Sequence, residues 1–294
     1  MKLTIFTPTY NRAHMLPQLF ESLVNQSNRD FVWLIVDDGS TDNTRQLVEK
    51  FRETTPFKIV YVFQENAGKH AAHNTGVENC TTELFFCVDS DDFLTIDAVQ
   101  KIYSIHEEFE SWNILGYYFR KADTSGKVSG GAFPIHNRLI GFREIYFDLG
   151  FTGELAIVFK TDLIKNYCFP VYENEKFVTE KVLYNQLGSI APMVYVDDVI
   201  YIFEYQETGY TKNAAKLYVK NPKGCAMGYL SDAIYGTKLV HRSKAYAAFK
   251  SMVKVFGIPV ELYHNIDDVS VMVKLCAIFL KPHYNKLFDK IKKQ

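Results

Sequence analysis

Three carboxylates fall within four residues at Asp89, Asp91 and Asp92, directly after the apolar run 84–88. Crowded like charges raise one another's pKa unless water or a cation sits among them. In an extended segment, residues i and i+2 share a face. Asp89 and Asp91 can then converge on one hard divalent cation, Mg²⁺ or Mn²⁺, which in turn bridges phosphate oxygens. The bland alternative is a solvated strand end, with Asp92 beside the next helix. A bare Asp-x-Asp does not decide between the two.

Two further acids, Asp37 and Asp38, end the run 31–38, ahead of Gly39 and the capping residues Ser40 to Asp42. Capping explains Asp42. A carboxylate before the turn can accept N–H bonds from a base or O–H bonds from a ribose. At 64–76, Asn66, Gly68 and Lys69 fall at a strand-to-helix turn, where glycine admits a ligand close to the backbone and lysine meets phosphate charge. His70 and His73 share a helix, but no third zinc ligand is near. They read as a polar helix face or as partners of a ligand. Glu180, between apolar residues of a predicted helix over 175–189, suits a partly buried general base. A first-turn glutamate on the helix dipole is the alternative.

Positioning these residues requires an α/β arrangement. Apolar runs at 3–8, 31–37, 58–64 and 83–88 read as strands, and helical spacing recurs at 15–26, 43–51, 69–80 and 95–109. In the last of these, Thr95 is the expected N-cap and Asp97 lies in the first turn. Near-continuous apolar strands separated by helices predict a parallel sheet covered on both faces. Ligands bind such sheets at the strands' carboxyl ends, where all four polar clusters lie. Beyond residue 112 the pattern changes. Two antiparallel strands are expected within 114–133, a strand entering a short helix at 154–164, and strands at 193–205. From about 212 onward the chain reads as helical.

The chain has 294 residues, 47% hydrophobic, with a formal net charge of −1. That balance gives no reason to expect nucleic acid as a partner. Five scattered cysteines imply neither a zinc site nor a disulfide framework, which suits a reducing, cytoplasmic setting. The apolar stretch 269–280 is short and interrupted by Lys274, so it reads as a buried or interfacial helix.

Taken together, 7–12 (TPTYNR), 36–42 (VDDGSTD), 66–76 (NAGKHAAHNTG) and 88–92 (VDSDD) resemble the family 2 glycosyltransferases of the GT-A fold. The resemblance implies a Rossmann-like, mostly parallel central sheet flanked by helices, with a GT-A domain over 1–214 (nucleotide-binding half 1–111, acceptor-side half 112–214) and a C-terminal helical region over 215–294. It implies that Pro8, Thr9 and Tyr10 line the nucleoside pocket with Asp38, which contacts the base. Asn66, Gly68 and Lys69 fall in the donor-contacting loop. Asp89 and Ser90 lie on the donor side, and Asp91, with Asp89, holds the Mn²⁺ or Mg²⁺. Glu180 stands where the family has a Glu-Asp pair at a helix start, although Lys181 follows here. His73 stands where many relatives carry arginine. Gly209 and Thr211 fall in a loop that closes over the diphosphate.

The implied reaction is inverting transfer of a sugar, of the hexosyl or N-acetylhexosaminyl type, from a nucleoside diphosphate sugar (UDP in most relatives). The acceptor is a hydroxyl of a glycan or of a lipid-linked saccharide, and single-sugar addition is expected rather than processive synthesis. Lysines beside Leu287, Phe288 and Ile291 would suit peripheral contact with an anionic membrane face. A nucleotidyltransferase would instead carry a glycine-rich basic loop after its first strand, and TPTYNR has no glycine. The incomplete Glu-Asp pair leaves a catalytically inactive nucleotide-sugar-binding module as the other alternative.

Overall fold

The computed structural model describes residues 1–131, 138–142, 144–204 and 214–293. The described residues form two compact units. The first draws on 1–141, 151–168 and 191–205, and the second on 142–150, 169–190 and 206–294.

The first unit is built on one sheet. Strands β1 (Leu3–Thr9) and β2 (Phe31–Asp37) are buried along their whole length, as expected of a sheet covered on both faces. Strand β3 (Lys58–Phe63) lies at the edge and is exposed at both ends, and β4 (Leu84–Cys87) flanks β1 on the other side. The order β3-β2-β1-β4 is parallel throughout. Leu3 and Ile5 pack into the same core cluster as residues of α1 (Leu16–Val24), α2 (Thr44–Thr54) and α4 (Ala98–Phe109). Phe6, pointing the other way, meets α3 (Lys69–Asn79). A Cβ on Gly76 would lie 2.5 Å from the Phe6 ring, so only glycine lets α3 close on β1.

The sheet continues from β4 through β8 (Leu155–Lys160), β6 (Gly116–Asp123) and β9 (Met193–Phe203) to β5 (Phe93–Leu94), with β7 (Arg138–Ile140) also on β9. β8 runs antiparallel to β4 and β6, whereas β6 and β9 are parallel. Leu94 pairs with Tyr201, which draws the chain after β4 onto β9. Strand β8 leads into α5 (Thr161–Ile164), as the sequence predicts.

Three local expectations change. Among the described residues of 114–131, only β6 is a strand. Its partner shrinks to one bridge between Ala122 and Val128, because Gly130 and Gly131 adopt left-handed φ values of +73° and +70°. Helix α4 begins at Ala98 with Asp97 at its N-cap position, and Thr95 donates its hydroxyl to Asp97 instead of capping. The helix expected over 175–189 is confined to α6 (Lys181–Leu187). Upstream of it the Glu175 carboxylate accepts the N–H groups of Lys223 and Gly224, both at 2.9 Å. A Cβ on Gly224 would come 2.1 Å from the Phe177 carbonyl, so residues 175–177 are held against a helix start and do not extend α6.

The second unit is helical: α6, α7 (Ala214–Lys220), α8 (Pro222–Tyr235), α9 (Leu239–Phe256), α10 (Val271–Ala277) and α11 (Lys281–Lys292). Phe288 of α11 is fully buried against the Tyr218 and Tyr229 rings, and Ile291 packs on the same core. Of the stripe read as membrane-facing, Phe288 therefore points inward, whereas Leu287 is 41% exposed. Among the described residues, no helix is long and apolar enough to cross a membrane.

Candidate active site

The parallel register brings four loops to one edge. Loops after β1 and β2 are stitched together. The Asp38 N–H donates to the Thr9 carbonyl at 2.8 Å, the Asn11 N–H to Ser40 Oγ at 2.8 Å, and the Thr41 N–H to Asn11 Oδ1 at 2.8 Å. Asn11 adopts φ +52°, a left-handed geometry that asparagine tolerates. Asp42 Oδ2 accepts the Ala13 N–H, and Asp42 Oδ1 the N–H and hydroxyl of Thr44 at the start of α2.

The first acid pair turns inward. Asp37 Oδ1 accepts the Ser40 N–H at 2.7 Å and Oδ2 the Tyr61 hydroxyl at 2.6 Å. Asp38 is 4% exposed. Its Oδ1 accepts Gln64 Nε2 (2.7 Å) and the Ala67 N–H (2.9 Å), and its Oδ2 the Gly68 N–H (2.8 Å). Three of about four acceptor positions on the carboxylate are thus spent on the 64–68 turn. Asp38 shapes the loop that the sequence reading assigned to the donor. Gly39, at φ +84°, is required there: a Cβ would meet the Asn66 nitrogen at 2.8 Å.

The second acid group departs from the extended geometry assumed for it. The Asp92 N–H donates to the Asp89 carbonyl at 3.1 Å, closing a turn over 89–92. Asp89 and Asp91 therefore pair with different partners. Asp89 Oδ1 lies 2.8 Å from Lys69 Nζ, and Asp91 Oδ2 2.5 Å from an Arg12 guanidinium nitrogen. Asp92 is buried, accepting the Tyr201 hydroxyl (2.6 Å) and the Glu204 N–H (3.2 Å). The same Tyr201 oxygen accepts the Asp89 N–H at 3.1 Å, and the Lys121 ammonium sits over its ring, 4.0 Å from the centroid.

These surroundings pull the acids apart electrostatically. Asp89 lies deep among protein atoms, yet its side chain keeps 32% exposure. Burial pushes its pKa up, but Lys69, Lys121 and Arg12 together outweigh burial and hold it below the ordinary aspartate value. For Asp92, burial and the neighbouring Asp89 charge raise the pKa to about 6. Arg12, Lys121 and Tyr201 were missed as site residues. Arg12 closes the TPTYNR motif, but Tyr201 comes from 112 positions downstream of Asp89, a distance at which sequence spacing carries no signal.

Pro8 and Thr9 are buried at the end of β1, Tyr10 is 48% exposed beside them, and Ser90 is buried in the turn. Thr9 Oγ1 and Asn66 Oδ1 are buried with no hydrogen-bond partner among the described residues, so each can take a bond from a ligand or a water. The histidines do not form a polar face. His70 and His73 are 4% and 5% exposed, and the His73 ring stands edge-on to Phe6 and Phe85. Burial lowers the His70 pKa, against the pull of Asp38.

In the second unit, Glu180 occupies the N-cap position of α6 and is exposed, not partly buried. Gly209 and Thr211 lie outside the described residues.

Asp89 and Asp91 carry hard oxygen atoms of the kind Mg²⁺ or Mn²⁺ takes, each balanced here by a different side-chain cation. Among the described residues, the ligating atoms that do converge are those of Glu83, His106 and Glu110. They lie at the opposite, N-terminal ends of β1 and β4, where the Lys2 ammonium stands 4.0 Å and 3.7 Å from the two glutamates. A separate cavity of about 650 Å³, lined by Arg120, Asp123, Ser129, Asp197 and Phe203 among others, shares no residue with the carboxylate turn.

The family model for glycosyl transferase family 2 matches residues 4–167. The chain belongs to that family. The sequence is 33% identical over 125 residues to glycosyltransferase GlyA of Streptococcus pneumoniae, covering 42% of this chain and 18% of that protein. It is 29% identical over 195 residues to the minor teichoic acid biosynthesis protein GgaA of Bacillus subtilis, covering 63% and 42%. The chain thus spans less than half the length of these curated relatives. The S. aureus TarS structure in complex with UDP-GlcNAc superimposes with TM-score 0.64 at 17% identity, over 100% of this chain and 91% of that one, which establishes the GT-A fold.

Proposed function

We propose that this chain transfers a sugar from a nucleoside diphosphate sugar, a UDP-sugar in the first instance, to a hydroxyl of a glycan or lipid-linked acceptor. The observation that carries the reading is the pair of carboxylates Asp89 and Asp91, at the carboxyl edge of a family 2 sheet, each matched to a long-chain cation that a ligand can displace. UDP-GlcNAc in TarS and teichoic acid synthesis by GgaA point the same way for donor and acceptor class.

In this reading the 64–68 turn, fixed by Asp38, presents Asn66 Oδ1 to the nucleoside together with Thr9 Oγ1. Asp91 and Asp89 would hold Mn²⁺ or Mg²⁺, which when bound would supply positive charge to the diphosphate leaving group. Lys69 and Arg12, released from those carboxylates, are then available to the same phosphate charge. Glu180, at the start of α6 as the family's acid is, takes the acceptor proton while the acceptor oxygen bonds to the anomeric carbon and the diphosphate leaves with the bonding pair.

Thermal melting with UDP, GDP, CDP, ADP and dTDP, each with and without Mn²⁺, tests the donor site. A ligand that binds only the folded state raises stability as ln(1 + [L]/Kd). One nucleotide is expected to shift the melt in the presence of Mn²⁺, and the shift to vanish in Asp91→Asn. A folded protein that no nucleotide shifts would sink the reading. Turnover lost with donor binding kept in Glu180→Gln supports the base, and unchanged turnover removes it from that role.

A further inference from the structure

Helix α10 is apolar on two sides. Val273 is fully buried and Ala277 4% exposed, both in the core of the helical unit. Facing away, Val271, Met272 and Leu275 are 71%, 58% and 54% exposed. The helical path continues through Ile278 (φ −55°, ψ −44°), and Ile278 and Phe279 are 61% and 87% exposed. At about 100° per residue these five side chains fall on one face about 120° wide, centred opposite Val273 and Ala277. Single exposed apolar residues are ordinary, but a contiguous face of five is an interaction surface. A short helix that is apolar on two opposite sides needs a second apolar neighbour.

Charge selects the neighbour. Residues 271–293 carry six lysines against one acid, Asp289, in a chain of net charge −1. Lys274 lies within α10, and Lys281, Lys286 and Lys290 follow in α11, while Lys292 folds back onto the Val255 carbonyl at 2.6 Å. Asp267 and Asp268 precede α10 at its N-terminal end, where the helix dipole favours acids. A second copy docking through this face would bring two basic segments together. An anionic lipid surface accepts apolar side chains and lysines at once.

We propose that the outward face of α10 and the turn after it lie in the headgroup region of an anionic bilayer, with the flanking lysines on lipid phosphates. The contact belongs to α10 and does not use Phe288 of α11, which packs inward. It does not depend on the transfer reaction and is measured without nucleotide.

The test is flotation of the full chain with vesicles of phosphatidylcholine alone or mixed with phosphatidylglycerol. The parent protein is expected to float with the mixed vesicles, less well at high salt, and to stay down with phosphatidylcholine alone. The Leu275→Glu/Phe279→Glu double variant should fall to background with its melting temperature unchanged, because both side chains are exposed. In Phe279→Trp, tryptophan emission should shift to the blue on adding mixed vesicles. A parent that does not float with anionic vesicles overturns the proposal, as does a double variant that floats equally well or a floating Phe279→Trp without a blue shift. A lipid-free dimer that the double variant dissociates would assign the face to a second copy and also overturn it.

Discussion

Two carboxylate environments divide the molecule. In the helical unit, Glu175 is buried on the fixed N–H groups of Lys223 and Gly224. Burial raises its pKa while those N–H bonds and Lys223 oppose the rise. The backbone holding it cannot move without unwinding the start of α8. At the sheet edge, Asp89 and Asp91 are held by Lys69 and Arg12, long side chains that swing away by bond rotation alone. Asp38 shows that position on the edge is not the cause, because it too is clamped by N–H groups. Whether an acid is available to a ligand follows from what neutralises it. Fixed backbone donors make a structural acid, and exchangeable cations make a binding one.

Substitutions that keep the shape and remove the charge break this division at its strongest point first. Asp91→Asn should lower kcat/KM by roughly a hundredfold or more, with little change in melting temperature, because partly exposed ion pairs contribute about 1 kcal/mol or less. Steady-state assays beside thermal melts check both halves. Glu175→Gln should do the reverse, costing about 1–3 kcal/mol as one buried N–H loses its acceptor, with activity per folded molecule unchanged. Chemical denaturation and an active-site-normalised rate measure this. Asp38→Asn should join the structural class, losing about 1–3 kcal/mol and loosening the 64–68 turn, seen as faster amide exchange at Ala67 and Gly68. If Asp38→Asn instead leaves stability intact and abolishes nucleotide binding, the division fails.

The smallest effect is a pH dependence from His70. Its folded pKa lies below the unfolded value, so between the two the unfolded chain binds the extra proton. Its contribution to stability is complete above the unfolded value of about 6.5 and is lost as pH falls below it. Denaturation midpoints should fall with acidification from neutrality, and His70→Asn should flatten that slope.

The strands of the parallel half were legible because burial on both faces leaves continuous apolar runs, and 31–37 reads as it folds. The four polar loops were legible because a parallel register places strand ends together. The 89–92 turn was not. Its closure comes from one backbone bond, and its partners arrive from Arg12 and Tyr201, remote in sequence. The burial of His70 and His73 was equally hidden, since it depends on glycine at position 76 letting α3 approach Phe6.

The amino-acid order by itself determined the alternation of strand and helix, the edge on which the acids collect and, through four short motifs, the family. Those follow from local propensity and the period of the hydrophobic pattern, which a one-dimensional string records. Only the tertiary structure decided which acid is clamped and which is exchangeable, that Asp92 is buried under Tyr201, and that α10 shows an apolar face outward while Phe288 of α11 is buried. Each of those depends on which distant group arrives within about 3 Å, and hydrogen bonds and ion pairs act only at that range.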